Sequence, residues 1–332
     1  MAMPGALPFA GGLRPQEGNG QMSLLESGKL LVTVGLNEVL SKDANPNVPY
    51  GPEEVAAAAI GCAEAGACGV HFHARFDDGR QDLTGAEIYR QAMELTAKES
   101  DVVMWTTAYP VGADPTAVED LPHHWDLLDR PPVGNPLQFG CFDVFRVGRR
   151  PGWSPAEDRF MPIGIDWTED HDAAYPIPPV LAEMLRRGLA PVVCCYDLGD
   201  ARWASHALRA GVLPYPSLVQ LHMLGSIMVG PSPTEEALAA FIAEARQAAQ
   251  PDVSVVPMHV ADRENYEALL RHAVRNQCHI RVGVGDAGHL YPKSTNAELV
   301  SRAVELIAEF GYQPATPADM RAHFAVAAPQ SA

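Results

Sequence analysis

From Lys29 onward, short runs rich in β-branched and aromatic residues alternate with helix-patterned stretches, and the alternation persists to the end of the chain. Few architectures accept that order, because strand and helix segments that strictly take turns build a parallel sheet covered by helices. The β runs are KLLVTVGL from Lys29, GVHFHA from Gly69, DVVMWTTAY from Asp101 and PLQFGCF from Pro136, then APVVCCYD from Ala190, LVQLHMLG from Leu218, DVSVVPMHV from Asp252 and HIRVGVGD from His279. Helix signals fall between them. Pro52 with Glu53 and Glu54 opens one helix, which Gly66 closes. Eight β/α units in about 290 residues fit a closed (β/α)8 barrel, an α/β TIM barrel with its active site at the carboxyl ends of the strands. A doubly wound open sheet is the alternative, but no G-x-G-x-x-G turn follows the first strand. The expected organisation is an irregular Gly- and Pro-rich arm over 1–28 and a single barrel domain over 29–332. An excursion at about 146–176 and a C-terminal helical extension belong to that domain.

Charge narrows the partners. The chain has 332 residues, and 41 acidic against 24 basic residues give a formal charge of −17, which repels nucleic acid and anionic membrane. No apolar run approaches the roughly 18 residues that a membrane helix needs, and the first residues lack the basic start and apolar core of a secretory signal. Six cysteines without a C-x-x-C pair build neither a zinc ribbon nor a disulfide framework. The expectation is a cytoplasmic protein acting on small molecules, with no nucleic acid and no membrane partner, assembled as a homo-oligomer, a dimer or tetramer. An anionic substrate in such an acidic chain calls for local positive charge, for which Arg75, Arg281 and Lys293 are the candidates.

In an extended strand the side chains alternate faces, so His71 and His73 project from the same side. That spacing suits two imidazole ligands of one divalent transition metal, and equally a half-buried strand whose histidines are satisfied by hydrogen bonds. Other strand ends add candidates that would converge on the same pocket: Asn37 and Glu38, Thr106 and Thr107, Cys194 and Asp197, His222, His259, Arg281, Asp286 and His289. Each also has a plain structural use, Asn37 and Asp286 as turn residues and Thr106 as a strand former.

HFHAR after an AEAGA helix, the segment SKDANPNVPYGPEE, HIRVG followed two residues on by Asp286, STNAELV and a late ATPAD occur here in order. In this set the chain, over roughly 30–325, resembles the β-keto acid cleavage enzymes, whose type member acts on 3-keto-5-aminohexanoate. The resemblance implies a zinc-dependent barrel that condenses a β-keto acid with acetyl-CoA as cosubstrate and releases acetoacetate and a new acyl-CoA. It implies metal binding by His71 and His73, a base formed by Arg281 with Asp286, and substrate contacts from Thr106 and from Glu38, with Asn37 competing for that place.

The chain also departs from the family. Gly285 stands where the family carries a third, glutamate ligand, so the space of that side chain is expected to be open, with His222 as the first substitute and Asp286 or His259 next. Cys194 stands where the type member has a substrate-binding glutamate, which points away from an amino-keto acid, and Pro136 replaces a threonine. Two other readings stay open. One is an amidohydrolase-like metal-dependent hydrolase, although that class carries H-x-H on its first strand; the other is a degenerate, non-catalytic barrel that binds a keto acid or acyl group.

Overall fold

In the computed structural model, which describes residues 23–108, 118–147, 152–161 and 177–326, eight parallel strands close into a barrel. They are β1 (Val32–Gly35), β2 (Gly69–Phe72), β3 (Val103–Thr106), β4 (Phe139–Asp143), β5 (Ala190–Cys195), β6 (Leu218–Leu224), β7 (Asp252–Met258) and β8 (His279–Val282). Each pairs with its neighbour in sequence, and β8 closes the ring on β1 with Ile280 beside Val32. Most of the expected arm, residues 1–22, lies outside the described residues.

The helices are α1 (Gly51–Glu64), α2 (Glu87–Thr96), α3 (Pro122–Asp129), α4 (Pro179–Arg186), α5 (Leu198–Arg209), α6 (Glu235–Ala245), α7 (Arg263–Arg275), a short α8 (Val284–Ala287), α9 (Asn296–Glu309) and α10 (Pro317–His323). Their ends follow local chemistry. Pro52 begins α1, and Gly66 takes a φ of 109° just past its end. Asp197 is the N-cap of α5, where it and Asp200 form a reciprocal capping box.

Alternation along the strands sends one set of side chains outward against the helices, where Phe72 meets Tyr89 of α2 with ring centroids 5.0 Å apart. Phe142 packs on the same outer side against Trp203 of α5, whereas Trp105 and Phe139 fill the barrel interior beside His71 and Phe324. All three are fully buried, and each such side chain contributes about 1.5–3 kcal/mol on burial. The floor of the barrel is closed by α10. Its Arg321 reaches Gln138 Oε1 at 2.9 Å and the Asp101 carbonyl at 2.6 Å, and His323 meets Asp252 at 2.8 Å, all beside the starts of strands.

Within the stretch 146–176, expected to be irregular, the described part holds an antiparallel hairpin of Gly152–Ser154 with Arg159–Met161. Aromatic packing accounts for it: Trp153 meets Phe160 edge-on at 5.4 Å and lies 4.3 Å from the His206 ring of α5. The rest of that excursion, 148–151 and 162–176, lies outside the described residues. Among the described residues no helix is long and apolar enough to cross a membrane.

Candidate active site

At the carboxyl ends of β1 and β2, Glu38, His71 and His73 offer three ligand atoms that all lie within 4.8 Å of one another. Glu38 Oε1 is 3.3 Å from His71 Nε2 and Oε2 is 3.0 Å from His73 Nε2, and all three residues are buried. The two imidazoles share a face, as their spacing requires, with rings edge-on at 5.3 Å. Glu38 joins them through an uncommon backbone state, φ 38°, which costs energy for a non-glycine residue and persists only when its surroundings hold it.

Two neighbours supply that hold. The Arg75 guanidinium donates to the carbonyls of Leu40 (2.7 Å), Asn37 (3.4 Å) and Glu38 itself. The Asn37 amide donates to the carbonyls of Pro49 and His73, while its oxygen accepts from the His73 N–H at 2.9 Å. Asn37 and Arg75 therefore stitch the ends of β1 and β2 together through backbone contacts. Lys293 is exposed.

The donor set fits a divalent metal such as zinc. Gln81 donates through its amide nitrogen to the Glu38 carbonyl at 3.4 Å, which turns its oxygen toward His73 Nδ1 at 3.0 Å. An amide oxygen only accepts, so Nδ1 carries the hydrogen and the Nε2 lone pair faces a carboxylate oxygen. Such an arrangement calls for a cation or a proton between them. Beside His71, the Cys141 thiol lies 3.9 Å from Nδ1.

Behind Glu38 lies a second charged group. Arg281 on β8 grips Asp286 with two bonds, Nε to Oδ2 at 3.0 Å and Nη2 to Oδ1 at 2.9 Å, and also donates to Glu38 Oε1. The pair fits only because β1 ends in glycine: a Cβ on Gly35 would stand 2.5 Å from Arg281 Nη2 and 2.6 Å from Asp286 Oδ2. Burial works to raise the Glu38 carboxyl, but Arg281, His71 and His73 outweigh it and hold Glu38 well below the usual carboxylate range. Burial and the Glu38 charge raise Asp286 against the pull of Arg281. The cause is plain: two carboxylates share one guanidinium, leaving a net negative charge in a buried place. A divalent cation would reverse that sign, and an anionic substrate would then neutralise it.

The space expected to be open at Gly285 is closed. A Cβ there would lie 2.8 Å from Glu38 Cγ, 2.8 Å from the Asn37 nitrogen and 2.8 Å from the Gly35 carbonyl oxygen. Glu38, entering from β1, fills the room that a glutamate on the β8 side would need. His222, expected as the third ligand, is accordingly not in the metal-ligand group; it sits on β6, across the ring from β2.

The other expected site residues are placed as follows. Thr106 Oγ1 lies 3.2 Å from His124 Nε2, and the Cys194 thiol points to the Val192 carbonyl at 3.5 Å and to Gln220 at 4.0 Å. His259 takes a φ of 52° beside Asp286, whose carbonyl accepts its N–H, and His289 binds the Val260 carbonyl. Gln81 and Gly35 were not legible as site residues: one lies in a polar loop and the other ends a strand, and nothing local marks either. A groove of about 190 Å³ lined by Tyr266, Arg271, Tyr291 and Arg302 lies between α7 and α9, in the outer layer and away from this cluster.

A sequence profile described as beta-keto acid cleavage enzyme matches residues 29–326. The chain belongs to the β-keto acid cleavage enzyme family. A 3-keto-5-aminohexanoate cleavage enzyme of Acetoanaerobium sticklandii is 23% identical over 303 residues, 88% of this chain and 97% of the relative. A 3,5-dioxohexanoate:acetyl-CoA acetone transferase of Paraburkholderia graminis is 25% identical over 203 residues, 56% of this chain and 61% of the relative. Among solved structures, a ternary complex of ObcA with a C4-CoA adduct and oxalate superposes with a TM-score of 0.59 at 16% identity, covering 85% of this chain and 68% of that one. A truncated 3-deoxy-D-arabino-heptulosonate 7-phosphate synthase from Thermotoga maritima gives 0.50 at 13% identity, covering 87% and 90%. These two share the barrel fold.

Proposed function

We propose that this family member is a metal-dependent enzyme that condenses a β-keto acid with acetyl-CoA and releases acetoacetate and a new acyl-CoA. The observation that carries the reading is the single buried cluster in which Glu38, His71 and His73 adjoin the Arg281–Asp286 pair. A divalent ion, zinc by its N2O donor set, would hold the keto-carboxylate there and stabilise charge developing on its oxygen. Asp286, oriented by Arg281 and raised by burial, accepts the proton from C2 of the keto acid. The C2 carbanion then attacks the thioester carbonyl of acetyl-CoA, and the CoA thiolate leaves. That thiolate adds to the original ketone carbon, the C2–C3 bond breaks to release acyl-CoA, and Asp286 returns its proton to C2 of acetoacetate.

Cys194 supports a substrate without an ammonium group, since a buried thiol offers no counter-charge. Of the two substrate types in the relatives' names, the dioxo acid is the better match. The hydrolase alternative loses support because the histidine pair lies on the second barrel strand, not the first. The test is to incubate the zinc-loaded protein with a panel of β-keto acids with and without acetyl-CoA, following CoA esters by mass spectrometry. New acyl-CoA and acetoacetate in equal amounts, only with acetyl-CoA, are expected. Consumption of keto acid without acetyl-CoA, or of none in the panel, would overturn the proposal.

A further inference from the structure

In a closed ring of eight strands β6 stands diametrically opposite β2, and His222 on β6 feels the charges of Arg281 and Glu38, so a substrate held at His71 and His73 that spans the barrel would reach it. There His222 is 4% exposed, and among the described residues neither of its ring nitrogens has a hydrogen-bond partner. Its ring stacks on Tyr196 at 4.7 Å and 29°. Around it Leu224, Val256 and Met258 form a small apolar cluster of their own, with Tyr196 packed against them. The register places His222 beside Val256, and Leu224 beside Met258.

Leaving a buried polar side chain unsatisfied costs its full desolvation penalty, and an imidazole with both nitrogens idle is an uncommon holding for a core. An apolar residue would fill the place more cheaply unless a ligand completes the bonding. Burial, reinforced by Arg281 and opposed only by Glu38, pushes the His222 imidazole down to about 3, so it is neutral in use, with one N–H to donate and one lone pair to accept. Such a group pairs with a hydroxyl or a keto oxygen. It offers no counter-charge to an ammonium or a carboxylate.

We infer that His222 is the specificity-determining contact for the substituent of the β-keto acid, which is a short neutral chain carrying one hydroxyl or keto oxygen. The apolar cluster receives the carbon chain, and His222 meets the oxygen. This rests on the reading of the chain as a β-keto acid cleavage enzyme. It deepens that reading, because the family resemblance singles out the Cys194 position for the substituent, whereas here the partner lies one strand further, on β6.

The relatives' substrates are six-carbon keto acids that differ at carbon 5, which fixes a matched set: 3-oxohexanoate and its 5-oxo, 5-hydroxy and 5-amino derivatives. With the zinc-loaded protein and acetyl-CoA, kcat/KM for the 5-oxo or the 5-hydroxy acid should exceed that for 3-oxohexanoate by about tenfold or more, the scale of one well-placed hydrogen bond. The 5-amino acid should be the poorest, and the two oxygen arms tell which oxygen is read. In His222→Leu the oxygen-to-alkyl ratio should fall toward one, and in His222→Gln, which keeps a donor and an acceptor, part of it should remain. The ratio is taken within each enzyme, so altered folding or expression does not move it. Absence of the preference in the wild type, or an unchanged ratio in His222→Leu, would overturn the assignment while leaving the enzyme class intact. If the wild type turns over no keto acid, the enzyme class falls and the assignment with it.

Discussion

Replacing Glu38 by Gln separates the carboxylate's two jobs, because the amide keeps the shape and removes the charge. In the metal-free protein Arg281, His71 and His73 stabilise that charge against burial, while it in turn raises Asp286, so the substitution loses charge-assisted contacts and relieves Asp286. Fold stability should therefore fall by no more than about 1.5–3 kcal/mol, the size of a hydrogen bond to a charged group. Metal binding should respond very differently. Loss of an outer contact to a ligand already costs ten- to a hundredfold in affinity, so loss of one of three ligands should cost about a hundredfold or more. Gly285→Glu should not restore it. A Cβ at 285 meets the Asn37 nitrogen and the Gly35 carbonyl oxygen at 2.8 Å whatever stands at 38, and that overpacking costs about 1–3 kcal/mol. The assay is elemental analysis after dialysis, with zinc affinity from competition against a chromophoric chelator and thermal melting of the chelated proteins as the control. Unchanged zinc affinity in Glu38→Gln would refute the assignment of the third ligand, and a loss confined to His222→Leu would reinstate His222.

Four further outcomes are expected. His71→Ala or His73→Ala should bring zinc in the dialysed protein from about one per chain toward none, since each removes one of two nitrogen ligands. Asp286→Asn should keep metal and fold but lower turnover by about 10²–10⁴-fold, the range of a lost general base; joint loss of zinc would instead make Asp286 a ligand. Gly35→Ala should lower turnover at unchanged zinc content, because its methyl intrudes on the Arg281–Asp286 pair, and a fully active variant would show that pair to be dispensable. Acid stability should depend on His222: its imidazole stays neutral to about pH 3 in the fold but takes a proton near 6.5 when unfolded, so its contribution is constant above that pH and declines below it. At about 1.4 kcal/mol per pH unit the decline reaches about 5 kcal/mol at pH 3. The stability difference between His222→Leu and wild type, followed by denaturant titration from pH 7 to 4, should therefore move in the variant's favour as pH falls, and a flat difference would contradict it.

The barrel was legible because its strands announce themselves by composition and are separated by capped helices; none of the eight needed tertiary information to be found. His71 and His73 were legible for the same reason, as alternation alone fixes their common face. Glu38 was found as a residue but expected against substrate rather than beside the histidines, because its direction depends on a left-handed backbone angle held by Arg75 and by the bonds of Asn37 to Pro49 and His73, contacts distant in sequence. Gly285 misled in the complementary way. A glycine reads as a missing side chain, and only three-dimensional packing reveals that another residue's carbons already fill the place. The hairpin near Trp153 escaped because Trp153 and Phe160 gain their packing from each other and from His206 of α5, which the surrounding Pro- and charge-rich sequence does not signal.

The floor of the barrel sets a timetable for synthesis. The strand that closes the ring, β8, and the helix that seals its base, α10, are made after the other seven strands. Lys29, at the threshold of β1, waits for Asp319 at 2.8 Å, and Lys29–Leu30 waits for Gln313–Pro314 as its strand partner. Glu38, His71 and His73 are made about two hundred residues before Arg281 and Asp286, so the charged pair joins them only after the other strands exist. A chain cut short before α10 would thus keep Glu38, His71 and His73 but leave Lys29 and the strand starts without Asp319 and Arg321, and the barrel base open to solvent.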